Sequence, residues 1–281
     1  MKARLGPDDL VIDSGMMQVA GFSERVAAAS AAGFTAISMW GRDRSQAHGE
    51  GLSDEDIRRI LDDYGVAVAD LSALTTWLPG TETVGGGPFG DGHPFFGWSE
   101  RDFLETGEAF QARSLSLTDI AGLRVGVDEA AEAFAGVCDR AAEHGLLVQI
   151  EFMSMSSLPT IGDAWAVVQA AGRPNGGIVL DTWHFFRTGT LEDLEPIPVD
   201  RVFGLQVSDA LRKPHRDPAQ ETATRLMPGE GELPLRDLLV ALRTGGCEAP
   251  IGVEMFGEEI EGRTAAEIAE RSYTAIETVL P

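Results

Sequence analysis

The chain has 281 residues and a formal net charge of −23, with 43% hydrophobic and 24% charged residues. That length supplies a sizeable core. So acidic a surface repels nucleic-acid phosphates and anionic membranes, and neither is expected as a partner. The two cysteines, Cys138 and Cys247, lack metal-type or redox-type spacing and fit a reducing, cytoplasmic setting. The N-terminus shows no apolar signal-peptide region, and no apolar run is long enough to cross a membrane.

Short apolar runs alternate with longer amphipathic ones. Leu10-Val11-Ile12 reads as a strand, and the Ala-rich segment from Ser23 to Ala32 as a helix ended by Gly33. Ala36 to Trp40 is the next strand. Ser53 caps a helix through Tyr64, with Glu55 and Asp56 in its first turn. Val66 to Leu74 and Leu115 to Ile120 read as strands three and four, with a helix from Glu100 to about Ser114 between them. In the second half, helices over Asp128 to His144, Ile161 to Ala171 and Pro234 to Arg243 alternate with strands Leu146 to Phe152, Gly177 to Asp181, Arg201 to Val207 and Ile251 to Met255. A short helical turn spans Leu191 to Leu194, and Thr264 to Val279 closes the chain as a helix.

About eight strand–helix repeats with near-continuous apolar strands imply a parallel sheet covered on both faces. In this length they match an α/β chain folded as a (β/α)8 TIM barrel. A doubly wound open sheet is the alternative, and the missing glycine fingerprint after the first strand counts against it. No linker interrupts the pattern, so residues 1–281 read as a single domain. Two long loops belong at the C-terminal face. Thr75 to Trp98 carries a glycine run and the aromatic residues Trp77, Phe89, Phe95, Phe96 and Trp98, and reads as a lid or as an exposed loop. Ser208 to Leu233 carries Arg212, Lys213, His215 and Arg216, which read equally as an anion site or a solvated cluster.

The chemistry gathers at the ends of the last four strands. Glu151, Asp181, Gln206 and Glu254 each follow an apolar run, and active sites of such barrels lie at those ends. A lone acid there is ordinarily a helix cap or a surface charge. Three carboxylates around one point would raise each other's proton affinity unless a cation lay between them. Oxygen-rich ligation without cysteine suits Mn²⁺, Mg²⁺ or Co²⁺, with Mn²⁺ favoured.

The set Glu151, Asp181-x-x-His184, Gln206 and Glu254 resembles the xylose-isomerase-like TIM-barrel superfamily of sugar isomerases and epimerases. The resemblance implies that these four residues hold a divalent metal ion and that Glu151 and Glu254 form the catalytic acid/base pair. It also implies that His184 and Arg212, the latter six residues past Gln206, bind substrate. The implied reaction is isomerisation or epimerisation of a sugar or related hydroxy-carbonyl compound through a metal-stabilised enediolate. Alternatives are a lyase or dehydratase using the same proton abstraction, such as inosose dehydration or C-glycoside cleavage, and a non-catalytic ligand-binding barrel or subunit. Where most epimerases of this group have His, this chain has Gln206. A further departure is the apolar content near the strand ends: Trp40, Trp77, Phe152, Met153, Met155, Trp183, Phe185 and Phe186. These read as core or as a mouth for a small molecule with an apolar or aromatic portion, and Trp40, Trp77 and Trp183 are its candidate contacts. A homo-oligomer is compatible with the sequence.

Overall fold

The structure, a computed structural model, describes residues 5–81, 97–213, 218–257 and 259–281. The glycine run of the first long loop, with Phe89, His93, Phe95 and Phe96, lies outside the described residues, as do His215 and Arg216. The chain order is β1 (Leu10–Ile12), α1 (Phe22–Ala32), β2 (Ala36–Trp40), α2 (Asp43–Gly49), α3 (Asp54–Tyr64), β3 (Ala67–Leu74), α4 (Glu100–Phe110), β4 (Ser114–Thr118) and α5 (Val127–Glu143). Then come β5 (Leu147–Glu151), α6 (Ile161–Ala171), β6 (Gly176–Asp181), α7 (Thr182–Thr188), β7 (Val202–Val207), α8 (Pro218–Glu221), α9 (Leu235–Thr244), β8 (Ile251–Val253) and α10 (Ala265–Glu277). All eight strands are parallel and form a closed barrel in sequence order. Closure rests on β1 pairing with β8, Leu10 beside Ile251 and Ile12 beside Val253, which excludes the open doubly wound sheet.

Local sequence explains the helices between the strands. Helices α3, α4, α6 and α10 each start at a reciprocal capping box: Ser53 with Asp56, Ser99 with Asp102, Thr160 with Asp163, and Thr264 with Glu267. Such boxes satisfy amide groups that a helix start leaves unpaired. The strands are apolar on the side packed against helices because that side never meets water. Three helices were not anticipated: α2, α7 and the short α8. In α7 the Asp181 carboxylate itself accepts from the His184 backbone N–H at 2.8 Å, so the strand's last residue caps the next helix. In α2 the first residue, Asp43, accepts from Arg25 Nη1 at 2.8 Å and from the Trp40 backbone N–H at 2.7 Å, fixing the end of β2.

Inside the barrel the side chains are unexpectedly polar. Such interiors are ordinarily filled by branched apolar residues. Here Asp70 accepts from Ser72, Ser116, Ser114 and Gln149 at 2.5, 2.7, 2.9 and 3.0 Å. Burial raises its proton affinity, and these four donors partly offset that cost. No helix among the described residues is long and apolar enough to cross a membrane.

Candidate active site

Strand register brings the four strand-end residues to one place. Asp181 pairs with Gln206, and Gln206 with Gly252, two residues before Glu254. Glu151 pairs with Val179, two residues before Asp181. Because strand side chains alternate with a period of two, all four point into the barrel. Glu151 and Glu254 line the mouth, a cavity of about 310 Å³. Asp181 is fully buried beneath it, while Gln206 lines a smaller cavity of about 40 Å³ running down the lumen, with Glu254, Asp13 and Gln149.

The electrostatics are those of crowded acids. Burial, and then the neighbouring Asp181 charge, push the Glu151 carboxyl up to about 8. Burial and the charges of Glu151, Asp13 and Asp181 hold Glu254 well above the usual carboxylate range. Asp13, hydrogen-bonded to Ser38, is pushed up to about 6, mainly by burial. His184 is fully buried and held down to about 3, so its ring is neutral at physiological pH.

These residues fit a divalent cation. Donor atoms of Glu151, Asp181 and His184 all lie within 4.8 Å of one another. The amide oxygen of Gln206 is buried with no hydrogen-bond partner among the described residues, a costly state that a cation would relieve. Glu254 and Gln206 lie next to the group of Glu151, Asp181 and His184, Glu254 on the wall of the mouth and both on the wall of the smaller lumen cavity.

One functional residue was missed by sequence reasoning. Arg225 reaches into the mouth with its side chain only 3% exposed. Its Nη1 donates to Asp181 Oδ2 at 2.7 Å, its Nη2 lies 3.2 Å from His184 Nε2, and its guanidinium sits 4.5 Å over the Trp183 ring. The long loop after β7 is folded so as to hold it there. Thr224 bridges to Gly257 and Leu226 to Asp209, one on each side of Arg225. Asp209 in turn accepts from the backbone N–H groups of Gly229, Gly231 and Leu233 at 3.0–3.1 Å. Arg187 on α7 grips Glu221 of α8 through two bonds of 2.9 and 2.7 Å. Gly257 has φ +107°, and a Cβ there would lie 1.7 Å from the Ala223 carbonyl oxygen, so the bridge requires glycine. No motif in the sequence marks Arg225, and Arg212, Lys213 and Arg216 in the same insertion hid which of its cations would turn inward.

The other expected contacts divide. Trp40 lines the mouth, tilted against Phe256 at 5.8 Å, together with Met153, Ile120 and Ala223. Arg212 is exposed and donates its backbone N–H to Glu232 at 2.9 Å. It does not line the mouth among the described residues, because the folded loop puts Arg225 there instead. Trp77 belongs to the core: its Nε1–H donates to the Thr118 carbonyl at 3.2 Å and its ring packs edge-on against Phe134. Trp183 is fully buried and supports Arg225 and His184 from behind. Phe152 and Phe185 are likewise core, while Met155 is exposed.

The model of the xylose isomerase-like TIM barrel family matches residues 104–277. The chain belongs to that family. An inosose isomerase of Halalkalibacterium halodurans is 32% identical over 143 residues, half of this chain and half of that protein. The chain thus spans about half the length of the inosose isomerases it matches. A putative hydroxypyruvate isomerase of Streptomyces coelicolor is 30% identical over 251 residues, covering 82% of this chain and 84% of that one. Among solved structures, the IOLI protein with a bound zinc atom superposes with a TM-score of 0.84 at 19% identity, covering 97% of this chain and 98% of that one.

Proposed function

We propose that this protein is a divalent-metal-dependent isomerase or epimerase of a sugar or related hydroxy-carbonyl compound, working in the cytoplasm. The observation that carries the reading is the pair Glu151 and Glu254. Both are acids on neighbouring parts of one mouth, and both have their proton affinity raised by burial and by the charges of neighbouring acids, Glu151 to about 8 and Glu254 well above the usual carboxylate range. A carboxyl tuned in that way can take a proton from carbon or return one at physiological pH. Relatives named inosose isomerase and putative hydroxypyruvate isomerase, and a structural neighbour that holds zinc, support the same class of substrate and the presence of a metal ion.

Glu151, Asp181, Gln206 and Glu254 would hold the cation. Bound there, it would draw charge from the oxygens of an α-hydroxy carbonyl and acidify the C–H between them. The chain's own residues do the rest. One of Glu151 and Glu254 removes that proton and the other returns one, at the neighbouring carbon in an isomerisation or on the opposite face of the same carbon in an epimerisation. Neutral His184 lines the mouth beside Glu151, with its ring nitrogens facing the Arg225 guanidinium and the Ser154 backbone N–H at 3.2 Å each. Arg225 holds Asp181 and His184 in place. Trp40, Met153, Ile120 and Phe256 form an apolar wall, which favours a substrate with an apolar or aromatic portion over a fully hydrated open-chain sugar.

The test is proton exchange in deuterated solvent. The metal-loaded protein should wash deuterium into the carbon next to the carbonyl of a hydroxy-ketone, with cyclic polyol ketones included in the panel. Glu151→Gln and Glu254→Gln should each lower the rate by roughly 10²–10⁴-fold. A loaded protein that exchanges no C–H in any member of the panel would defeat the reading. Release of water or of an aglycone would move the assignment to the lyase branch.

A further inference from the structure

We propose that Arg42, seated on the Trp40 wall of the mouth, binds a carboxylate of the substrate, so that the compound turned over is a ring-bearing hydroxy-keto acid. The inference rests on the mouth being the substrate site, as proposed above, and adds the charge of what enters it. Among the described residues, five arginines lie over aromatic rings: Arg25 over Phe22, Arg42 over Trp40, Arg44 over Phe110, and Arg187 and Arg225 over Trp183. Four of them are completed by an acid of the chain: Arg25 by Asp43, Arg44 by Asp54, Arg187 by Glu221 and Arg225 by Asp181. None of the described acids completes Arg42, and its Nε is buried without an acceptor among the described residues. In a chain with 45 acidic residues and 22 lysines and arginines, an arginine without an acid is the exception. A buried N–H without an acceptor carries a cost that an incoming oxygen removes.

The place of Arg42 fits that role. Strand β2 ends at Trp40, so Arg42 stands two residues beyond it, on the face where the mouth opens. Its guanidinium lies 5.0 Å from the centroid of the Trp40 ring, and the side chain is half-buried. The ring is a fixed platform: a Cβ on Gly15 would lie 2.1 Å from its Cζ2, and Phe256 tilts against it. The adjacent Asp43 cannot act as the missing acid. It is fully buried and accepts from Arg25, Ser14 and Gln18. Arg225, the cation inside the mouth, is already matched by Asp181. An anionic group that enters must therefore be met at the rim.

A guanidinium presents a planar fork of N–H donors that matches a carboxylate bidentately. One guanidinium also balances one carboxylate, whereas a phosphate monoester would bring excess negative charge towards Glu151 and Glu254. The ring of such a substrate would lie along Trp40, Phe256 and Ile120, with its hydroxy-ketone turned to the two glutamates. A chain of net charge −23 repels anions at large, so their capture needs a fixed cation at the entrance.

The test compares matched charged and neutral probes: quinate with methyl quinate, and benzoate with benzamide. Calorimetric titration of the full chain is run after loading with MnCl₂ and again after chelator treatment. The wild type should bind the carboxylate of each pair at least roughly 10-fold more tightly than its neutral twin, the size of one charge-assisted hydrogen bond. The preference should persist without metal and shrink as salt is added. In chelator-treated Arg42→Met the members of each pair should bind alike, with Tm within about 2 °C of wild type because no acid of the chain loses its partner. Should that variant fail to fold, Arg42→Gln reads the same ratio. A wild type that prefers neither carboxylate overturns the inference. So does a preference that appears only with metal or survives the loss of Arg42, since the ion or another group then holds the carboxylate. Tighter binding of myo-inositol 1-phosphate than of quinate would overturn the choice of carboxylate. These ratios need no turnover, so a loaded protein that exchanges no C–H would defeat the proposed reaction and leave the Arg42 site standing.

Discussion

Arg225→Met removes the cation that the metal-free site relies on and keeps a side chain of similar length. In the native chain the Arg225 and Asp181 side chains are 3% and 0% exposed and 2.7 Å apart. Taking away one partner of such a pair strands the other charge in a medium that solvates it poorly, at a cost of about 3–5 kcal/mol. With an unfolding entropy of about 2.1 cal/mol/K per residue, a chain of 281 residues has close to 0.6 kcal/mol/K in total. A loss of about 4 kcal/mol therefore lowers Tm by about 7 °C. The assay is a thermal melt of chelator-treated protein, paired with Asp181→Asn in a double-mutant cycle. The double variant should recover about 2 kcal/mol relative to additivity, because neither charge is left alone. Saturating Mn²⁺ should shrink the penalty, since the ion gives Asp181 a new counter-charge. A metal-free Arg225→Met variant within about 1 kcal/mol of wild type, with additive behaviour in the cycle, would refute the argument that Arg225 neutralises Asp181.

Three further outcomes follow from the geometry. Metal binding at pH 7 should release protons, because Glu151, pushed up to about 8, is protonated without a cation, and the proton affinity of Glu254 is raised in the same direction. Apparent affinity should rise with pH until Glu151 is ionised, and calorimetry in buffers of different ionisation enthalpy measures the release; no release at pH 7 would contradict the raised proton affinities. Gly257→Ala should loosen the loop after β7, since its Cβ would fall 1.7 Å from the Ala223 carbonyl oxygen. Hydrogen exchange of the Leu226 amide, bonded to Asp209 at 2.8 Å, should accelerate while the barrel strands stay protected, and unchanged exchange would refute the clamp. Trp77→Phe should cost about 1 kcal/mol from the lost bond to Thr118 and leave KM unchanged, whereas Trp40→Ala should raise KM. Saturation kinetics on whichever ketone exchanges its proton would separate the two.

The barrel was legible in the chain because its information is local. Alternating apolar runs and amphipathic helices, with caps such as Ser53 and Thr160, specify elements one by one. Eight parallel strands in sequence order then have essentially one closed solution. Glu151, Asp181, Gln206 and Glu254 were legible for the same reason: each ends an apolar run, and position along a strand is a property of sequence. The side chains that reach the mouth from loops were not. Arg212 and Arg225 lie in one insertion with the same charge, and only the Asp209 hub and the two backbone bridges decide which enters. Trp40, Trp77 and Trp183 look alike as aromatic residues near strand ends. One lines the mouth, one is core and one backs an arginine, because packing depends on what stands opposite. The sequence by itself determined the order of the elements and which strands end in oxygen donors. Only the tertiary structure decided the lumen's polar layer around Asp70, the burial that tunes Glu151 and Glu254, and the arginine beside them, since each depends on groups brought together across the closed barrel.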